Sequence, residues 1–132
     1  MPRLARFLAV SLAAAAFSSG ALASESLPAQ SSSVSGVTLK VAPRGLKAST
    51  WEFDLTFDTH SQDLKDDLLR SAVLVAGGAQ VAPLGWEGDP PGGHHRKGVL
   101  RFAAPAPRPA MIELHVSRPG ESKPRIYRWR LP

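Results

Sequence analysis

The chain contains no cysteine, so it has no disulfide, no thiolate metal ligand and no cysteine nucleophile. The same absence excludes lipid attachment at a cysteine. Aromatic residues are sparse, at 7% of the chain. Those present fall at strand spacing, which argues against a stacking platform for nucleic acid. Long apolar runs are also scarce. The one that stands out, Phe7 to Phe17 (FLAVSLAAAAF), is shorter than the roughly 20 residues a membrane-spanning helix needs. Arg3 and Arg6 precede it, and Ser18, Ser19, Gly20 and an Ala21-Leu22-Ala23 site follow. Positive charge holds the N-terminus inside, the apolar run enters the translocon, and small side chains fit signal peptidase. Residues 1–23 therefore read as a cleavable signal peptide. The expected location is periplasmic or secreted, with no stable membrane insertion after cleavage and no access to cytoplasmic cofactors such as ATP.

Removing 23 of the 132 residues leaves 109, enough for one compact domain. Arg3 and Arg6 leave with the signal, so fourteen basic residues face eleven acids, a net charge of +3. The charge is uneven: six acids lie between Glu52 and Asp67, and nine bases between Arg96 and Arg130. An exported domain of this mild charge is not expected to bind nucleic acid. Stability must come from burial and sheet pairing, and no cofactor is required for folding.

Residues 24–35 (SESLPAQSSSVS) lack periodicity and read as a flexible leader. From Gly36 onward the period is two, which assigns residues 36–132 to a single domain. Trp51, Phe53, Leu55 and Phe57 alternate with Glu52, Asp54, Thr56 and Asp58, predicting a half-buried strand. Val37–Val41, Ala72–Ala76, Ala79–Leu84, Gly98–Ala103, Ala110–Ser117 and Arg125–Leu131 are further strand segments. Pro and Gly clusters separate them. The exception is Ser61–Arg70, where Leu64 and Leu68 recur at i, i+4; this is a helical turn or an irregular connection. About seven short strands predict an antiparallel β-sandwich, immunoglobulin-like in architecture, with a small β-barrel as the alternative. The Arg-rich C-terminal segment reads as a solvated strand face.

The densest unusual segment runs from Trp86 to Gly98 (WEGDPPGGHHRKG). It joins two predicted strands and places His94 and His95 on a loop stiffened by prolines, with two glycines before them. A third histidine, His60, ends the strand 51–58. Imidazoles with no thiolate and no dense carboxylate cluster suit copper, zinc or nickel, and Met111 would bias the choice to copper. The expected metal ligands are His60, His94 and His95. The competing reading is a rigid turn whose histidines bond the backbone and recognise an envelope protein partner. No nucleophile elbow or H-E-x-x-H arrangement is present, so no catalytic residues are assigned. Trp86 is expected to anchor the loop, and Trp51, Phe53, Phe57, Tyr127 and Trp129 to pack the core.

Together, Thr59-His60-Ser61-x-Asp63-Leu64, Trp86-Glu87-Gly88, Gly92-Gly93-His94-His95-Arg96-x-Gly98-x-Leu100-x-Phe102 and Arg125-x-Tyr127-x-Trp129 resemble a family of small exported prokaryotic domains. The resemblance spans about residues 50–131. It implies that His60 belongs with His94 and His95 in one pattern, with His115 outside it, and it supplies no reaction. The resulting expectation is a non-catalytic domain for handling or delivering a transition metal, copper preferred, with the interaction module as alternative.

Overall fold

The computed structural model describes residues 27–132. The signal peptide assigned to residues 1–23 and the start of the leader lie outside the described residues. Within them the order is β1 (Gln30–Val34), β2 (Val37–Gly45), β3 (Thr50–Thr59), α1 (Leu68–Ser71), β4 (Ala72–Ala76), β5 (Ala79–Val81), β6 (Gly85–Gly88), β7 (His95–Ala103), β8 (Met111–Val116) and β9 (Arg125–Arg130). The strands form two open antiparallel sheets, β1-β2-β3-β7-β6 and β5-β4-β8-β9. The arrangement is sandwich-like, and the sheets do not close into the barrel held as the alternative.

Alternation decides the layers. Trp51, Phe53, Leu55 and Phe57 on β3 are buried, as are Leu39 and Val41 on β2 and Leu100 and Phe102 on β7. Leu74, Ile112, Leu114, Tyr127 and Trp129 meet them from the second sheet in one core. Phe53 packs edge-on against Phe102 with ring centroids 5.7 Å apart, and lies 5.8 Å from Trp129 of the opposite sheet. The connection after β3 adds Leu64 and Leu68, both buried. Its last turn is the short helix α1, whose start is capped by the Asp67 carboxylate accepting from Leu69 N–H.

Two strands occupy segments that the pattern assigned otherwise. Residues 30–34, expected as flexible leader, form β1 and pair with β2. The cause is the Ser35-Gly36 turn, whose two residues both take positive φ (51° and 77°), the geometry that matches strand twist in a two-residue hairpin. The polar residues of β1 gave no apolar alternation to read. Gly85–Gly88, expected as part of a loop, forms β6 against β7.

β1 also closes one side of the sandwich. The three inward residues of β9 each bond the N-terminal segment. Arg125 donates to the carbonyls of Ser32, Val34 and Val37 at 3.0–3.1 Å. The Tyr127 hydroxyl lies 2.5 Å from Ser32 Oγ, and Trp129 Nε1 donates to Pro28 O at 2.8 Å. The Gln30 carboxamide donates to Arg128 O at 2.6 Å and accepts from Arg128 N at 3.3 Å. It thereby occupies both outward backbone groups of Arg128, at the middle of the β9 edge.

Candidate functional site: the histidine loop and its clasp

The histidine-bearing segment is built as a clasp between two loops at one end of the sandwich. β6 and β7 run close together and carry Trp86 over Gly98, where an added Cβ would lie 2.6 Å from the ring. Trp86 Nε1 donates to Asp89 O at 3.0 Å. The Arg96 guanidinium sits 5.3 Å from the Trp86 ring centroid and donates to Asp89 O and Asp66 O. Asp89 in turn accepts from Lys97 N–H through its carboxylate and donates from its own N–H to Lys97 O. The β6–β7 loop is then tied to the β3–β4 connection. Gly92 N–H donates to Leu64 O at 2.8 Å, and Leu64 N–H to Gly93 O at 3.0 Å. Gly93 N–H donates to Asp63 Oδ1 at 2.6 Å, and Thr59 N–H to His94 O at 2.9 Å. Gly92 and Gly93 have φ of 117° and 77°, conformations that a side chain opposes. Most residues of the motif thus serve the structure, holding two loops in one conformation.

The histidines sit on the outside of this clasp. His60 follows the last residue of β3 and is exposed. His94 is a loop residue whose carbonyl is bonded and whose side chain is exposed. His95, expected on the loop, is the first residue of β7; it stands opposite Asp58, with Nδ1 2.5 Å from Asp58 Oδ1. Both partners of that pair are more than half exposed. The Thr59–His94 hydrogen bond brings the backbone beside His60 against His94, while His95 is bonded to Asp58 through Nδ1 alone. Among the described residues no group of three or more His, Asp or Glu side chains forms a metal-holding arrangement. Met111 lies on β8 of the second sheet, opposite Arg130 and at the far end of the sandwich, away from the histidines. His115 is on that sheet too, 3.1 Å from Glu113 Oε1. An imidazole bonded to a carboxylate is part of a catalytic triad, but among the described residues no hydroxyl bonds the His95 ring.

Beneath the clasp lies a charge cluster that the sequence pattern did not reveal. Asp66, Arg118 and Arg125 are buried at 3–6% exposure. Arg118 donates through Nε and Nη2 to the two oxygens of Asp66 at 2.9 and 3.0 Å, and through Nη1 to Glu121 at 3.1 Å. Arg125 binds the same Glu121 carboxylate with two donors at 2.8 Å. Charges alternate from Asp66 to Arg125, so each is paired. The Arg125 hydrogen bonds, and then Arg118, hold the Glu121 carboxyl below its ordinary pKa against the opposing effect of burial. The same Glu121 contact raises Arg125. Burial raises the Tyr127 phenol. Glu113, bonded by His115 and Arg128, is also lowered. Arg125 corrects the expectation of a solvated C-terminal face: Ile126, Arg128 and Arg130 are exposed, but Arg125 falls on the inward parity. The local spacings 118/121 and 121/125 were visible signals; the Asp66 partner, 52 residues from Arg118, was not.

The arrangement can present side chains rigidly. No helix among the described residues is long and apolar enough to cross a membrane. Comparison with protein-family models, with curated proteins and with solved structures finds no match.

Proposed function

We propose that this chain is a non-catalytic recognition module of the cell envelope, periplasmic or secreted, which binds a protein partner through the surface carrying His60, His94 and His95. The observation that carries this reading is the contrast between backbone and side chains in the loop. Four hydrogen bonds tie residues 92–94 to residues 59–64, while all three histidines remain exposed. A surface fixed before binding loses less entropy when a partner docks. The strand orders β2-β3-β7-β6 and β5-β4-β8-β9 support an immunoglobulin-like reading, since they correspond to ABED and C′CFG with β1 added at an edge. The resemblance to small exported prokaryotic domains is part of the same proposal. Metal handling with copper, zinc or nickel is the competing outcome, since the imidazoles that would hold the ion are the same three.

A photo-crosslinking residue placed at position 60 or 94, with position 80 as a control on β5, tests the reading in envelope extracts. One partner should crosslink from 60 and 94 but not from 80, with and without chelator, and its capture should fall in the His60→Ala/His94→Ala variant. Failure of site-dependent crosslinking, or its loss on chelation together with stoichiometric copper uptake by the purified protein, would overturn it.

A further inference from the structure

At the end of the sandwich opposite the histidines, the β2–β3 turn, the β7–β8 connection and Pro132 border a cleft of about 440 Å³. This is within the range of small-molecule sites, about 300–1,000 Å³. Leu27, Pro43, Leu46 and Pro132 supply apolar lining, and Arg44, Lys47 and Arg108 bring cations to it. Glu52 is the single acidic side chain in the lining, and Arg44 and Arg101 flank it at 3.8 and 3.7 Å. Neither Lys47 nor Arg108 has a carboxylate within ion-pair distance among the described residues. Arg108 is nonetheless held in place. Its Nη1 donates to Leu46 O at 2.6 Å, and its guanidinium lies 5.6 Å from the Trp51 ring centroid. Only one of its five N–H donors is used by that bond.

We infer that this cleft binds a small amphipathic carboxylate, with an aliphatic tail of medium-chain length on the Leu27, Pro43 and Leu46 side and the carboxylate against Arg108 and Lys47. An uncharged apolar ligand would leave the two cations without counter-charge, and a compact polyanion would leave the apolar lining uncovered. A carboxylate with a tail satisfies both, and the oriented guanidinium matches its planar geometry. The site is separate from the histidine surface and does not depend on its reading.

Octanoate is the probe, titrated into the purified protein by calorimetry and by amide NMR, with 1-octanol as the uncharged control. Saturable octanoate binding below about 1 mM is expected, with shifts concentrated in residues 43–48 and 104–108. Octanol should bind at least about tenfold more weakly, and Lys47→Gln should weaken octanoate about three- to tenfold. Arg108→Gln should do the same, while Ala48→Trp, which fills the mouth without altering charge, should abolish binding. Among the described residues Lys47 makes no side-chain hydrogen bond or ion pair, so its variant stays readable if Arg108→Gln disturbs the Leu46 turn. Equal binding of octanoate and octanol, shifts outside the cleft, unchanged affinity in Lys47→Gln, or no saturation would overturn the inference.

Discussion

Gly88 of β6 stands opposite Gly98 of β7, so close that a Cβ on Gly88 would lie 2.4 Å from the Gly98 Cα. The reciprocal Cβ on Gly98 would meet the Trp86 ring at 2.6 Å and Glu87 O at 2.7 Å. Neither contact can be relieved by turning a flexible side chain, because backbone atoms are among those met. Gly88→Ala and Gly98→Ala should each destabilise the domain by about 2 kcal/mol or more in urea denaturation. Trypsin should also cleave faster after Arg96 and Lys97, at the start of β7, in both variants. Gly45→Ala, where a Cβ meets nothing within 4 Å, serves as the control and should change stability little.

The Asp66–Arg118 pair has both side chains at 2–3% exposure. Removing Asp66 leaves two buried guanidiniums, Arg118 and Arg125, sharing the one Glu121 carboxylate, so one positive charge is uncompensated. Asp66→Asn is expected to cost about 3–5 kcal/mol, and an apolar double replacement such as Asp66→Leu/Arg118→Met should recover much of that loss. Chemical denaturation of the wild type, Asp66→Leu, Arg118→Met and the double variant closes a double-mutant cycle, with Asp66→Asn measured alongside. A double-variant loss equal to the sum of the two single losses would show that the pair is not coupled.

Glu121 sets an acid limit on stability. Its folded pKa lies below the ordinary value of 4.5 because Arg125 and Arg118 bond the carboxylate. The stabilisation is therefore fully present above about pH 4.5 and is lost as pH falls through the lower, folded value. Glu113 acts in the same direction near the surface, where salt screens it. Glu121→Gln should flatten the decline of Tm between about pH 5 and pH 3, as followed by circular dichroism, and Glu113→Gln should flatten it less.

Gln30 protects the β9 edge by taking both backbone bonds at Arg128. Gln30→Ala frees one donor and one acceptor on a strand whose residue Ile126 is 50% exposed. The expected cost is about 1 kcal/mol, accompanied by faster aggregation. Thermal melts and light scattering at matched concentration read the two effects. Gln30→Glu should restore only the accepting half.

The histidine motif illustrates how far the sequence carried its own explanation. Its unusual density marked a special segment, and a stiffened segment is what the structure contains. Its physical cause was hidden. Gly92, Gly93, Asp63 and Arg96 serve hydrogen bonds to residues roughly 30 positions away, and no spacing within the motif announces those partners. Copper ligation by His60, His94 and His95 is an expectation from residue type together with the resemblance to small exported domains. The register sets His95 opposite Asp58 and places His94 against Thr59, the residue before His60, with all three imidazoles exposed. β1 was missed for a related reason: Gln30 to Val34 pair through backbone and polar contacts to β9, which apolar periodicity does not detect.

What the sequence determined by itself is local. Alternation along 51–58, 111–116 and 125–130 dictated extended strands with their apolar faces inward, because side chains on a strand alternate with period two and apolar ones must leave water. The division of strands between two sheets, the closing of β1 over β9, and the burial of Asp66 with Arg118 were decided only by tertiary structure. Each depends on which distant segments become neighbours, and the energy of a paired charge or an occupied strand edge exists only once both partners are in place.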